Sequence, residues 1–260
     1  VLMIDHGRKL GLDITEFNYD SNPRILEDSY DCIVSANLES LSGRYPDIVQ
    51  FISSHMKHFR LEHDANRYLS QDKRKDLFGS CRASFFLTEF HYKQFLSAYG
   101  DIFSNPVIVP DPIDTNVFKP LGLQRSGHTM YTGFMHDLKG TPAFIEYAMD
   151  NPQKHFVAAS WGHRIYEFVL KKLDNVNFYG KVDFDSMPHF YNSHSRMFYH
   201  PAFYEPFCRS VAEAVFCGIE VDANDKIGCL HEVQRLGEAD FRKACSEAPQ
   251  TFWNIISEHL

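Results

Sequence analysis

Residues 197–218 read MFYHPAFYEPFCRSVAEAVFCG, and the way this stretch parses decides the fold. Met197–His200 is a short apolar run stopped by Pro201, the pattern of a buried parallel strand. Pro201–Pro206 makes a loop, and Ser210–Cys217 makes a helix with Ser210 as its N-cap. Glu213 then falls in the first helical turn and Glu205 just ahead of it, so two carboxylates face one ligand from different directions. The amides near Cys208, Arg209 and Ser210 lack intrahelical acceptors and can hold a phosphate, with Arg209 adding a formal charge. A polyol gripped by carboxylates beside an anion gripped by a helix start describes a sugar nucleotide.

The same alternation of short apolar runs and helical periods extends outward in both directions, the mark of parallel α/β architecture. Downstream, Glu220–Asp222 reads as a strand and Asp240–His259 as a helical tail. Upstream, strands are expected at Thr129–Thr132, His155–Ala158 and Val176–Tyr179, with helices at Pro142–Met149, Tyr166–Lys172 and Ser186–Ser193. Earlier still, Pro110-Asp111-Pro112 breaks all periodicity, because two prolines this close fit neither a helix nor a central strand. Before it come strands at Val1–Ile4, Cys32–Ser35, His58–Leu61, Ser84–Leu87 and Val107–Val109, and helices at Tyr45–His55, Asn66–Phe78 and Phe90–Tyr99. The expected organisation is a first Rossmann-like domain over 1–110, a linker over 111–128, and a second domain with a helical tail over 129–260. A ligand site is expected in the cleft between the domains, at the carboxyl ends of the strands.

With 260 residues, 44% of them hydrophobic, the chain is long enough for a sizeable core and too apolar for disorder. A formal charge of −8 argues against nucleic-acid binding through bulk positive charge. The six cysteines include no C-x-x-C pair, which points to free thiols in a reducing cytoplasm. No apolar run approaches a membrane span, and no charged-then-apolar signal segment opens the sequence. Asp183-Phe-Asp185 has the D-x-D form of a divalent-metal holder but sits where a helix cap fits better, and the histidine spacings match no metal template, so no metal is expected.

The phrase E-P-F-C-R-S-V-A-E-A-V-F-C-G at 205–218 resembles the Glu–seven residues–Glu motif of the retaining GT-B glycosyltransferases, the large family four in particular. Both Glu and Gly218 match, while Cys208 stands where the family has Gly. The resemblance implies that Glu205 binds donor-sugar hydroxyls and that Glu213 binds the nucleotide ribose. Val107–Pro120 resembles the family's interdomain phrase, with Asp111-Pro112 at the usual glycine region, and Phe85–Glu89 resembles the end of its first domain. Asn177–Val182 (NFYGKV) resembles the segment whose backbone touches the base, which brings in Val182. Thr132–Gly140 (TGFMHDLKG) resembles the glycine–lysine loop at the diphosphate. Gly133 and Lys139 match there, and Phe134 replaces the usual arginine, for which Arg209 or Arg164 is a substitute. His63, in Glu62-His63-Asp64, matches a histidine near the reacting sugar, and Gly7 with Gly11 lies where glycines adjoin the diphosphate. The resemblance extends over residues 58–235 and is only general before them.

The resemblance implies two Rossmann-like domains facing across a cleft, and a sugar transfer from a nucleoside-diphosphate sugar, UDP- or GDP-linked, to an acceptor hydroxyl. Retention, independence of metal, and catalytic roles for Glu205, Lys139 and His63 come with it. Gly133, Arg209, Ser210, Glu213, Cys208, Val182 and Gly7 form the expected donor set. Alternatives on the same fold are a weakly active or non-catalytic sugar-nucleotide binder, an epimerase and a phosphorylase. The acceptor stays open among glycan, protein, lipid and modified DNA. A first domain short for the family points to an open cleft. The basic run Lys57, Arg60, Arg67, Lys73, Arg74, Lys75 is diluted by Glu62, Asp64, Asp72 and Asp76 and reads as a solvated helix face.

Overall fold

The computed structural model describes residues 2–17, 30–36, 46–64 and 79–260. The chain divides into two compact units: Val1–Pro112 together with Lys243–Leu260, and Ile113–Arg242.

In the first unit, β1 (Ile33–Ala36), β2 (His58–Glu62), β3 (Ala83–Phe86) and β4 (Pro106–Ile108) form a parallel sheet in that order. Strands β2 and β3 are buried along their whole length; β3 is apolar apart from Ser84, whereas β2 also buries His58, Arg60 and Glu62, the last two as an ion pair. Helix α1 spans Leu2–Lys9, α2 spans Pro46–Ser54 and α3 spans Glu89–Tyr99. The Thr88 hydroxyl caps α3 by accepting from the His91 amide at 2.9 Å. Phe86, Phe95 and Phe103 close a cluster between α3 and the sheet.

The opening residues are a helix rather than the expected strand at Val1–Ile4. Four apolar residues in a row do not distinguish the two, and the choice here is made by tertiary packing. A Cβ on Gly7 would lie 2.6 Å from both Ile14 Cδ1 and Trp253 Cε2, so this glycine serves close packing inside the unit. Its expected place in a diphosphate loop is therefore corrected. Trp253 belongs to α9 (Glu238–Ser257), the helical tail, and its Nε1 donates to the Met3 carbonyl at 2.7 Å. Phe252 packs on Phe85 with centroids 4.7 Å apart. From Lys243 onward the tail thus belongs to the first unit rather than to the second domain. Arg60 is removed from the basic surface run: it is 1% exposed, with Nη2 2.7 Å from Glu62 Oε1. The helix expected at Asn66–Phe78 and the cations at 67–75 lie outside the described residues.

In the second unit, β5 (Ser126–Met135) occupies the centre of a parallel sheet ordered β7-β6-β5-β8-β9. The chain steps from β5 through α4 (Thr141–Asp150), β6 (Phe156–Gly162) and α5 (Arg164–Leu170) to β7 (Val176–Phe178) at one edge. It then crosses back through α6 (Met187–Asn192) to β8 (His194–Tyr199), α7 (Arg209–Phe216) and β9 (Glu220–Ala223) on the other side of β5. The strand order therefore reverses between β5 and β8, whose carboxyl ends form the crevice where such sheets bind ligands. Tyr131 of β5 stacks on Phe144 of α4 with centroids 4.8 Å apart, and Tyr147 stacks on Phe198 at 4.6 Å. Helix α8 (Gly228–Leu236) was not expected; its cap position is Ile227, which offers no side-chain bond and hence no sequence signal. The expected linker is anchored in the core at two points: Ile113 and Phe118 are buried, Phe118 lies against Tyr191 and Phe184, and β5 already begins at Ser126.

Among the described residues, no helix is long and apolar enough to cross a membrane.

Candidate functional site

Two loops meet at the switch point. The first follows β5, passes through a 3-10 turn at Asp137–Lys139, and enters α4 at Gly140. The second follows β8 and leads through Glu205 to α7. Gly140 has φ 83°, and a Cβ there would lie 2.7 Å from the His200 carbonyl carbon, so only glycine allows the loops to approach this closely. The Ala202 amide donates to the Leu138 carbonyl at 3.0 Å and ties them together. From below, the Tyr131 hydroxyl meets Thr141 Oγ1 at 2.9 Å, and the His136 amide donates to the same Oγ1 at 3.0 Å.

This convergence brings Lys139 and Glu205 into contact across 66 residues of sequence. Lys139 Nζ lies 2.7 Å from Oε1 and 2.8 Å from Oε2 of Glu205. The lysine side chain is 43% exposed and the carboxylate 9%, so the carboxylate is the fixed partner and the ammonium the accessible one. Glu205 is held by its backbone, its amide donating to Lys226 O at 2.8 Å and its carbonyl accepting from Gly228 N at 2.9 Å.

Helix α7 starts differently from expectation. Cys208, not Ser210, occupies the cap position, with φ 68° and ψ 80° and no side-chain cap bond. Ser210 is already the second helical residue, and Glu213 sits in the second turn rather than the first. One helical turn from Arg209, Glu213 accepts from Arg209 Nε at 2.8 Å, and its other oxygen accepts from Tyr191 OH at 3.2 Å. Burial pushes the Glu213 carboxyl above its ordinary value, opposed by Arg209 and the Tyr191 hydroxyl. Tyr191 was missed in the sequence; it lies in α6, 22 residues away, where nothing local marks it. The Cys208 thiol, buried and facing the Glu205 charge, is pushed up to about 12, so it stays protonated and is no nucleophile at neutral pH.

Gly133 lies near the end of β5 with φ 126°, and a Cβ there would meet nothing closer than Tyr199 Cε2, 3.9 Å away. This glycine leaves open space instead of filling a packing gap. Beside it Phe134, which stands where the resembled motif has arginine, is exposed. Arg164 is the exposed first residue of α5. Val182 follows β7 in the stretch leading to a 3-10 turn at Phe184–Ser186 and is half-buried. Asp183 occupies that turn's cap position without a side-chain bond, and among the described residues no group of three or more acidic, histidine or cysteine side chains could hold a metal ion. In the first unit, His63 follows β2 with Nδ1 4.0 Å from Asp111 Oδ1.

The glycine strand end, the lysine–glutamate pair and the helix start thus gather at the switch point, where parallel α/β sheets bind their ligands. Residues 169–251 match the family model described as glycosyl transferases group 1. Comparison of the sequence with curated proteins gives no match. Among solved structures, Anabaena Alr3699/HepE in complex with UDP is similar over 88% of this chain and 79% of its own, with TM-score 0.66 and 15% identity. Sucrose-phosphate synthase from Thermosynechococcus elongatus is similar over 88% of this chain and 72% of its own, with TM-score 0.61 and 15% identity. A glycosyltransferase from Rickettsia africae is similar over 98% and 82%, with TM-score 0.60 and 13% identity. The fold is that of the GT-B glycosyltransferases.

Proposed function

We propose that the chain transfers a sugar from a nucleoside-diphosphate sugar to an acceptor hydroxyl, with retention at the anomeric carbon and without an essential metal. The observation that carries this is the Lys139–Glu205 contact at the switch point, where two residues expected on separate motifs meet at 2.7 Å. The matched family model and the glycosyltransferase neighbours, one solved with UDP-glucose, support the same reaction class.

In the proposed step the bond between the anomeric carbon and the diphosphate breaks, and the acceptor oxygen bonds to that carbon. The acceptor proton passes to the departing phosphate. Charge accumulates on the diphosphate, and Lys139, Arg209 and the amides at the start of α7, about Ser210, are the groups placed to stabilise it. Gly133 admits the diphosphate to the backbone. Glu205 accepts from sugar hydroxyls while keeping the lysine in place, Glu213 takes the ribose, and the backbone around Val182 takes the base. Cys208 contributes backbone direction and no covalent chemistry. His63 is proposed to hydrogen-bond the donor sugar by resemblance alone. The donor is a UDP- or GDP-sugar, the acceptor class stays open, and free cysteines suit a cytoplasmic setting.

A donor screen that reads nucleoside-diphosphate release tests this. Lys139→Ala is expected to lower turnover by roughly 100-fold or more, as loss of one preorganised charge-stabilising group does. Glu205→Ala is expected to abolish it. Nucleotide-sugar binding with no release for any acceptor would leave a non-catalytic binder. Turnover unaffected in Glu205→Ala would move the site elsewhere.

A further inference from the structure

The second unit carries an aromatic surface that the donor roles above do not use. Phe134 and Trp161 are register partners on the adjacent parallel strands β5 and β6, so their side chains leave the same face of the sheet. They are 42% and 45% exposed, with ring centroids 6.4 Å apart at 71°. His163 packs edge-on to Phe134 at 6.0 Å, and His136 lies parallel to it at 6.3 Å. Lys181 Nζ stands 5.7 Å from the Trp161 ring centroid, which brings the stretch after β7 alongside the indole. The two rings therefore form a shelf at the carboxyl end of the sheet, next to Gly133 in the chain and with the Lys181 ammonium at its rim.

The two cations expected at the diphosphate are compensated, while Lys181 stands at the rim of the shelf. Lys139 is paired with Glu205, Arg209 is paired with Glu213, and a phenyl ring replaces the arginine at 134. At Lys139 and Arg209 a nucleotide's phosphates would meet two ion pairs rather than two free cations. A planar, weakly hydrated group gains from the shelf, because every nucleobase has a π-face and stacking on an aromatic ring needs no particular hydrogen-bond pattern.

We infer that the Phe134–Trp161 shelf receives the nucleobase of the donor, stacked on the Trp161 indole with Lys181 at its rim, and that this stack supplies much of the nucleotide affinity. The inference rests on the donor-site reading of the second unit. It follows that a free nucleoside binds with a large share of the diphosphate's affinity, and that binding weakens little as salt rises.

The test uses the full chain. Of its two tryptophans, Trp253 is 7% exposed and Trp161 is the accessible one, so a Trp253→Phe variant leaves the shelf indole as the sole reporter. Uridine, guanosine, UDP, GDP, UDP-glucose and GDP-mannose are titrated against its emission at two salt concentrations, with calorimetry on the unaltered chain. Nucleosides and nucleotides are expected to quench the emission. Trp161→Leu is expected to weaken a nucleoside and its diphosphate by the same factor, roughly 10- to 100-fold. Lys139→Met is expected to weaken only the diphosphate. Nucleotide sugars that bind with unchanged affinity in both Trp161→Leu and Phe134→Leu, melting curves being normal, would overturn the shelf while leaving the transferase reading intact. Quenching by simple saccharides but not by nucleosides would overturn the nucleobase assignment. Absence of any nucleotide binding to the unaltered chain would overturn the donor-site reading itself.

Discussion

Replacing Cys208 by Gly and by Ala turns the backbone at the start of α7 into a measurable quantity. Cys208 and Asn105 are the non-glycine residues at positive φ among the described residues, and Cys208 combines φ 68° with burial. Holding an L-residue in the left-handed region costs about 1–2 kcal/mol, which glycine does not incur. Glycine loses more chain freedom on folding than alanine does, about 0.5–1 kcal/mol. The difference leaves Gly ahead of Ala at this position by roughly 0.5–1 kcal/mol, the reverse of their order in a helix interior. Both variants lose the same sulfur, whose contact with Ser210 Oγ is a loose 3.7 Å, so their comparison isolates the backbone. For a chain of this size the gap corresponds to about 1–4 °C in melting temperature. Thermal and urea unfolding of the two variants side by side read it directly. Ala equal to or above Gly would refute the claim that this position is strained.

Gly140→Ala is expected to cost more than Gly237→Ala: both have φ 83°, but a Cβ meets the His200 backbone at the first and nothing within 4 Å at the second. Urea midpoints give the comparison, and equal losses would remove the close approach of the two loops as the reason for Gly140. Tyr191→Phe is expected to destabilise the second unit by about 1–2 kcal/mol, because it removes a hydroxyl bond to the buried Glu213 carboxylate; an unchanged midpoint would show the bond to be dispensable. His58 and His91 are lowered to about 3 by burial, with Arg60's charge adding to the effect at His58. Their folded values lie below the unfolded value near 6.5, so the unfolded chain takes up protons first as pH falls. Stability from these histidines is present above about pH 6.5 and is lost on acidification, by about 1.4 kcal/mol per pH unit for each. Urea unfolding at about pH 7.5 and about pH 5.5 checks the sign, and a first unit more stable at the lower pH would contradict it.

What was legible in the sequence follows from how local each signal is. Strands buried on both faces announce themselves as apolar runs, which is why Ser84–Leu87 and Met197–His200 were expected within a few residues of β3 and β8. The Lys139 and Glu205 loops were each recognisable alone, but their contact depends on strand order, which periodicity does not encode. Leu2–Lys9 failed because its apolar opening fits helix and strand equally, and the packing of Gly7 under Trp253 lies 246 residues away along the chain. Tyr191 was invisible for the same reason. The cap of α7 was misplaced because serine is a strong cap signal, whereas the turn is made by a cysteine in a conformation that its residue type does not advertise.

The charge arrangement also bears on how an acidic chain would hold the proposed diphosphate. An ammonium has three N–H donors, and the Glu205 carboxylate engages Lys139 through both oxygens, leaving the lysine, 43% exposed, a donor for a phosphate. Arg209 likewise gives Nε to Glu213 and keeps its terminal nitrogens, with the guanidinium 5.7 Å from the Phe184 ring. Each carboxylate fixes a cation's position while cancelling its long-range field, so electrostatic steering from solution is weak and the interaction strengthens only at hydrogen-bonding distance. On the proposed function such a site would discriminate by geometry: a diphosphate already oriented by its base and sugar would find two preorganised donors, whereas an inorganic anion arriving alone would find two neutralised pairs. Glu205→Gln separates the two roles, since it keeps the side chain's shape while freeing the lysine's charge. Inorganic phosphate is then expected to bind more tightly and nucleotide-sugar turnover to fall, and a variant in which both rise together would refute the division of labour between the pair.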